Sequence, residues 1–266
     1  MNERFGHPMD LGLHDRVVLV TGSSTGIGRA AAIAFGREGA RVGITYRHHR
    51  TQAEETARLV AEAGGQALAV PYDLASEESI AEAVRAIANQ WGSIHVLVNN
   101  AVQWGSVEDV INPPLFEETP LSRWTTMIDL NLTGVYLTVR HIVPYMRAQQ
   151  WGRIVTLSSD PAFPGAAAYA AAKAGLHGLT RVLAHELGPV GILANVVIPG
   201  FTLTEHNMQL MPQHMRDTVA QQTPTRRLST PEDVASTIVY LGSAANTQTT
   251  GVLVHTSGGV IGTPGL

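Results

Sequence analysis

The run Arg16-Val17-Val18-Leu19-Val20-Thr21 leads directly into Gly22-Ser23-Ser24-Thr25-Gly26-Ile27-Gly28. An alanine-rich stretch over 29–38 follows and is stopped by Gly39. No other feature of the chain restricts its fold so tightly. A continuous β-branched apolar run predicts a strand buried on both faces, as in parallel sheets. Alanine favours helix. A strand, a glycine turn and a helix in immediate succession build an anion cradle. Glycines let the backbone approach a phosphate, and the helix N-terminus offers unpaired N–H groups and a positive dipole end. The spacing is Gly-x-x-x-Gly-x-Gly, not the Gly-x-Gly-x-x-Gly of the best-known dinucleotide fingerprint. A plain turn between strand and helix therefore stays open as an alternative.

The alternation continues along the chain. Residues 41–45 predict a second strand, 52–63 a helix broken by Gly64-Gly65, and 67–70 a third strand. A helix over 76–90 and a fourth strand over 94–98 come next, leading into Asn99-Asn100-Ala101-Val102. Residues 103–120 read as irregular. Residues 121–147 read as two helical pieces kinked at Asn131-Leu132-Thr133-Gly134, because Asn and Gly are poor inside helices. Strands are predicted over 153–158, 192–197 and 251–256, and a long helix over 169–188. Thr230 caps a helix over 231–241 with Pro231 at its first position. The segment 202–223 is polar, carries methionines and Pro212, and reads as a mobile lid. This rhythm predicts an α/β fold, a Rossmann-type doubly wound parallel sheet of about seven strands with helices on both faces. The expected organisation is a flexible lead-in over 1–14, then a single domain over 15–266 with a substrate lid around 201–223.

In such sheets ligands lie at the carboxyl ends of the strands. At the end of the second strand an acidic residue would bind the ribose of NAD. This chain has Tyr46-Arg47 there, followed by His48, His49 and Arg50. Arg47 can pair with a phosphate, which favours NADP(H) over NAD(H); the bland alternative is a solvated polar loop. Asp73, at the end of the third strand, can receive an adenine amino group or cap the next helix.

A second constellation sits at Ser158-Ser159-Asp160 and Tyr169-Ala170-Ala171-Ala172-Lys173. On a helix Tyr169 and Lys173 share a face, one turn apart. A tyrosine needs its pKa lowered by about 2–3 units, roughly 3–4 kcal/mol, to trade protons easily near neutrality. One cation about 4 Å away supplies about 4 kcal/mol at an effective dielectric near 20. Lys173 is thus expected to make Tyr169 a general acid.

Composition removes other classes. The net charge is −4 with no basic run, so there is no electrostatic case for nucleic acid. The absence of cysteine excludes a disulfide framework and a thiol nucleophile. No apolar stretch approaches the ~20 residues of a membrane helix, and the polar start does not resemble a signal peptide; the expected location is the cytoplasm. The eleven histidines are scattered and show no metal-ligand spacing, so no metal is expected. A Gly-x-Ser-x-Gly elbow, the mark of a hydrolase nucleophile, is missing.

These residues together resemble the short-chain dehydrogenase/reductase family over nearly the whole chain. The matching stretches are Thr21 to Gly28, Asn99-Asn100-Ala101, Asn131, Ser159, Tyr169-x-x-x-Lys173 and Pro199-Gly200. Gly152-Arg153-Ile154-Val155 and the stretch from Tyr169 to Gly175 are most similar to 3-oxoacyl carrier-protein reductases and related ketoreductases. The resemblance implies hydride transfer between a nicotinamide and a carbonyl carbon, with Tyr169 as proton donor and Ser159 bonded to the substrate oxygen. Lys173 would hold the nicotinamide ribose, and Asn131 a water that relays protons to it. Gly22, Ser24, Thr25, Gly26, Ile27 and Gly28 would form the pyrophosphate loop. Tyr46, Arg47, Asp73, Leu74, Asn99 and Ala101 would surround the adenosine, and Pro199, Gly200, Thr202 and Thr204 the nicotinamide amide. It also implies a homotetramer formed through the long helices.

The chain departs from the family pattern in several places. Val102 stands where glycine is usual. Ser159 and Tyr169 are ten positions apart, against a usual thirteen, so Ser158 is a second candidate for the serine role. Asp160 stands where small or apolar residues are commoner, as a loop carboxylate or a substrate contact. Thr25 replaces the basic residue frequent in NADP-binding members. Gln103, Trp104, Phe163, Phe201, Met208 and Met211 are expected to line the substrate side. The substrate is then a small-molecule carbonyl, either a 3-oxoacyl thioester or a bulky aromatic ketone or quinone. The alternative is a non-catalytic dinucleotide-binding scaffold or regulator.

Overall fold

The computed structural model describes residues 10–104, 114–160 and 165–260. Its strands are β1 (Val17–Val20), β2 (Arg41–Tyr46), β3 (Gln66–Pro71), β4 (Val96–Asn99), β5 (Gly152–Leu157), β6 (Ile192–Pro199) and β7 (Leu253–Thr256). They form one sheet in the order β3-β2-β1-β4-β5-β6-β7, and every neighbouring pair is parallel. The strand order reverses between β1 and β4. Their carboxyl ends therefore splay into the crevice where ligands bind in such folds.

The helices are α1 (Gly26–Arg37), α2 (Arg50–Glu62), α3 (Glu77–Trp91), α4 (Leu121–Ile128), α5 (Gly134–Ala148), α6 (Ala167–Leu187), α7 (Glu205–Leu210), α8 (Gln213–Gln222) and α9 (Pro231–Gly242). They cover both faces of the sheet. Val18 and Val20 pack with Phe35 of α1 and Ile238 of α9 on one side. Val17 and Leu19 pack with Ile80 and Ile87 of α3 and Ile142 of α5 on the other. Successive side chains of a strand point to opposite faces, so a strand sandwiched between helix layers must be apolar at every position. That is why Val17–Val20 is a continuous run and fully buried.

Several local expectations are refined. Ser76 caps α3, its hydroxyl accepting from Ser79 N at 3.1 Å, while Asp73 turns its own loop by accepting from Ala75 N at 2.9 Å. The kink between the helical pieces of 121–147 is one π turn, Asp129–Thr133, joining α4 to α5. Thr230 and Asp233 form a reciprocal capping box on α9. The segment expected to be a lid is folded as α7 and α8, with Pro212 as the N-cap of α8. The lead-in was expected to be loose through residue 14. Instead, Leu13 is fully buried in the core, and the Leu11 carbonyl accepts from Ala244 N at 2.8 Å. The apolar side chain of Leu13 gains more from burial than a free arm would. Among the described residues no helix is long and apolar enough to cross a membrane.

Candidate active site

A cleft of about 710 Å³ runs along the carboxyl ends of the strands. At one end lie Tyr46, Arg47, His48, His49 and Asp73; at the other lie Tyr169, Lys173 and Pro199. The glycine loop forms its floor. Gly22 and Gly26 have φ of +62° and +56°, a left-handed backbone that side chains strongly disfavour. Gly28 is required for a different reason. A Cβ there would lie 2.4 Å from Asn100 Nδ2 and 2.6 Å from the Gly22 carbonyl oxygen. Thr25, the N-cap of α1, makes no side-chain cap hydrogen bond, so it leaves the first-turn amides of the helix unclaimed.

Thr21 ties the floor to the opposite wall. Its hydroxyl accepts from Asn100 N at 2.9 Å and Ala101 N at 3.0 Å, and donates to the Val98 carbonyl at 3.2 Å. Asn100 adds bonds from Nδ2 to the Thr21 and Gly22 carbonyls, both 2.9 Å. Asn99, expected beside the adenosine ribose, is buried below the cleft and donates to Thr156 Oγ1 at 3.2 Å. Asn100 and Ala101 supply the wall in its place.

Tyr169 stands near the start of α6, buried among Met127, Ala168 and Val102. Val102 is outside the left-handed region and uses its side chain to close this cluster. Trp104 lies over the Tyr169 ring, with centroids 4.6 Å apart and planes inclined by 34°. The Ser159 hydroxyl hydrogen-bonds the phenol and draws its pKa down, but burial dominates and holds it well above the usual tyrosine value. Lys173, expected to lower the pKa of the phenol, makes its hydrogen bond elsewhere. Its Nζ donates to the Leu157 carbonyl at 3.0 Å and sits 5.6 Å from the centre of the Tyr169 ring. The helix brings the two residues to one face, but the long lysine chain carries the ammonium to the end of β5. Burial depresses the Lys173 pKa to about 8.

The two serines face different partners. Ser158 lines the cleft, with Oγ 2.8 Å from His177 Nε2 and donating to the Lys173 carbonyl at 3.2 Å, whereas Ser159 lies outside that lining and reaches Tyr169. Asp160 lies 3.9 Å from His255 Nε2 and is not part of the cleft wall. Asn131, in the π turn, clamps the Gln103 backbone by accepting from its N and donating to its carbonyl, both at 3.0 Å. This clamp sets the position of the loop that carries Trp104.

Of the remaining expected residues, Ser24, Thr25, Ile27, Leu74 and Thr204 line the cleft. Gly200 and Thr202 lie behind the wall. A Cβ at Gly200 would be 2.8 Å from Ser257 Cα, and Thr202 Oγ1 donates to the Gly200 carbonyl at 2.9 Å. Arg47 lies 3.9 Å from Asp73 across half-exposed surface. Phe163 falls outside the described residues. Met208 lines a separate, smaller cavity. Sequence reasoning missed Asn100, His177 and Glu205; the doubled asparagine was the one visible signal for the first of these.

A doubly wound sheet with a glycine loop at one end of its cleft and a Ser, Tyr and Lys group at the other defines a dinucleotide-dependent oxidoreductase of the short-chain type. Comparison with known proteins agrees. A family model described as enoyl-(acyl carrier protein) reductase matches residues 22–261. A 3-oxoacyl-(acyl-carrier-protein) reductase of Aquifex aeolicus is 36% identical over 260 residues, 95% of this chain and all of its own. One from Staphylococcus epidermidis is 33% identical over 249 residues, 92% of this chain and 99% of its own. The crystal structure of a provisionally assigned short-chain alcohol dehydrogenase from Sinorhizobium meliloti superposes with a TM-score of 0.85. It is 30% identical, with 94% of this chain and 98% of the other covered. The chain belongs to the short-chain dehydrogenase/reductase family and is an oxidoreductase acting on a carbonyl.

Proposed function

We propose that this chain is an NADPH-dependent ketoreductase whose proton donor is Tyr169. The observation that carries the reading is the Ser159–Tyr169 hydroxyl pair, with Tyr169 lining one end of a cleft whose other end holds Arg47. The cleft fits a dinucleotide. Its volume lies in the usual range for ligand pockets, and the amides of α1 face its floor where a pyrophosphate would lie. Gly22, Ser24, Thr25, Gly26 and Ile27 would hold that pyrophosphate, with Gly28 allowing the close approach. Tyr46, Arg47, Asp73 and Leu74 would surround the adenosine. Lys173, Pro199 and Thr204 would hold the nicotinamide end.

When bound, the nicotinamide supplies a hydride to the carbonyl carbon. The protein's own part is orientation and proton delivery. Ser159 donates a hydrogen bond to the substrate oxygen, and Tyr169 transfers the phenolic proton to it. Burial keeps Tyr169 protonated until negative charge develops on that oxygen. Lys173, with its pKa near 8, can then return a proton. Asn131 fixes the loop above the ring. Segment 201–223 serves as the lid of a single domain that takes in the chain from Leu11 onward.

NADPH is preferred to NADH because the end of β2 offers Arg47 and no carboxylate. For the substrate, a 3-oxoacyl thioester is supported by what the relatives named above act on. The half-exposed Trp104 stacked on Tyr169 supports a bulky aromatic ketone or quinone as a second reading. Leu121, Trp124, Tyr136 and Val182 are exposed on α4, α5 and α6 and support assembly, as a homotetramer, through those helices.

The test is a fluorescence titration with NADPH and NADH, followed by an NADPH-oxidation screen against 3-oxoacyl thioesters and aromatic ketones. The reading expects tighter NADPH binding, turnover of one substrate class, and loss of the NADPH preference in Arg47→Ala. Equal affinity for both cofactors would overturn the specificity assignment. Cofactor binding with no turnover of any carbonyl would support a scaffold instead.

A further inference from the structure

One amide at the start of α1 already has an anionic partner. Gly26 N donates to Glu205 Oε2 at 3.2 Å. Glu205 opens α7, and Thr204 caps that helix by accepting from Asn207 N at 3.2 Å. The same carboxylate reaches the other way, with Oε1 3.5 Å from Arg29 NH1. Arg29 is held in place for this contact. Its Nε and NH2 donate to the Ser24 carbonyl at 3.1 and 2.6 Å, and Nε also donates to Thr56 Oγ1 at 3.1 Å. On the far side of Glu205 is a second cavity of about 320 Å³, lined by Arg29, Leu203 and Met208. It shares only Gly26 and Glu205 with the main cleft.

We propose that Glu205 sets cofactor affinity by competing for the glycine loop. Its carboxylate takes the place of a ligand phosphate at Gly26 N, and it withdraws toward Arg29 when a pyrophosphate seats. The inference rests on the dinucleotide reading above. Two anions at one amide repel each other, so one of them must leave. The neighbouring cavity gives the carboxylate room, and the fixed guanidinium gives it a destination. Withdrawal exchanges the direct Gly26–Glu205 bond for the Arg29–Glu205 pair, so the Gly26 amide is freed while α7 stays tied through Arg29 to the Ser24 carbonyl.

The test compares the wild type with Glu205→Gln, which keeps the size of the side chain and removes its charge. Glu205→Ala serves as a second variant, and both are checked for wild-type melting. Ligands are NADPH by fluorescence, and ADP and adenosine by calorimetry. Because Glu205 is half exposed, solvent moderates the effect. The expected gain is about fivefold for NADPH and ADP, shrinking at high salt, with adenosine unchanged. If the variants bind NADPH and ADP no better than the wild type, or if adenosine gains as much as ADP, the inference is overturned. A wild type that binds neither NADPH nor ADP overturns the dinucleotide reading, and this inference with it.

Discussion

Replacing Thr21 by valine removes one hydroxyl and keeps the shape of the side chain. The hydroxyl accepts from two backbone amides, Asn100 N and Ala101 N, and donates to the Val98 carbonyl. The residue itself is 1% exposed. Valine leaves both amides without their acceptor, at about 1–3 kcal/mol each. The expected loss is therefore about 2–6 kcal/mol. Water entering from the cleft can satisfy one amide, which favours the lower half of that range. For a chain of this size each kcal/mol moves the melting temperature by roughly 2–4 °C, so Thr21→Val should melt at least about 4 °C lower. Thr21→Ser keeps all three bonds, loses one methyl and should cost about 1 kcal/mol. Scanning calorimetry at one scan rate measures both. A valine variant melting within about 1 °C of the wild type, or a serine variant as unstable as valine, would refute the reasoning.

Two further perturbations test other parts of the account. Gly28→Ala drives a methyl into Asn100 Nδ2 and the Gly22 carbonyl; NADPH affinity should fall at least about tenfold, and unchanged affinity would contradict the cradle. His95 accepts from Val17 N at 3.0 Å through Nδ1, and burial, reinforced by Arg16 and Arg41, depresses its pKa to about 4. Between pH ~6.5 and about 4 the unfolded chain binds a proton that the folded chain refuses. Stability should thus fall as pH falls through that window, by less than about 1.4 kcal/mol per unit because solvent screens the half-buried ring, and then level off. His95→Asn, whose Oδ1 can replace Nδ1 as acceptor, should flatten the slope; equal slopes in urea titrations would reject the assignment.

The sheet could be read from the sequence because strands covered on both faces must be apolar throughout, and the glycines at 22, 26 and 28 mark where backbone meets backbone or ligand. That same burial hid the finer assignments. With both faces apolar, nothing in the pattern fixes the phase of the alternation. Whether Asn99 or Asn100 faces the cleft, and which of Ser158 and Ser159 reaches Tyr169, was therefore not legible. The Tyr169–Lys173 spacing correctly gave a shared helix face but not the end point of a flexible four-carbon chain, which lies at the Leu157 carbonyl. The Gly26–Glu205 contact joins residues 179 positions apart, and no local signal announces it.

The central claim, that the Ser159–Tyr169 pair delivers the proton, rests on one oxygen atom. Tyr169→Phe removes that atom and keeps the ring under Trp104. The decisive measurement is NADPH-dependent carbonyl turnover by this variant beside its NADPH titration. The account predicts turnover reduced by at least about a hundredfold, with NADPH affinity close to wild type. Near-normal turnover in Tyr169→Phe would contradict it.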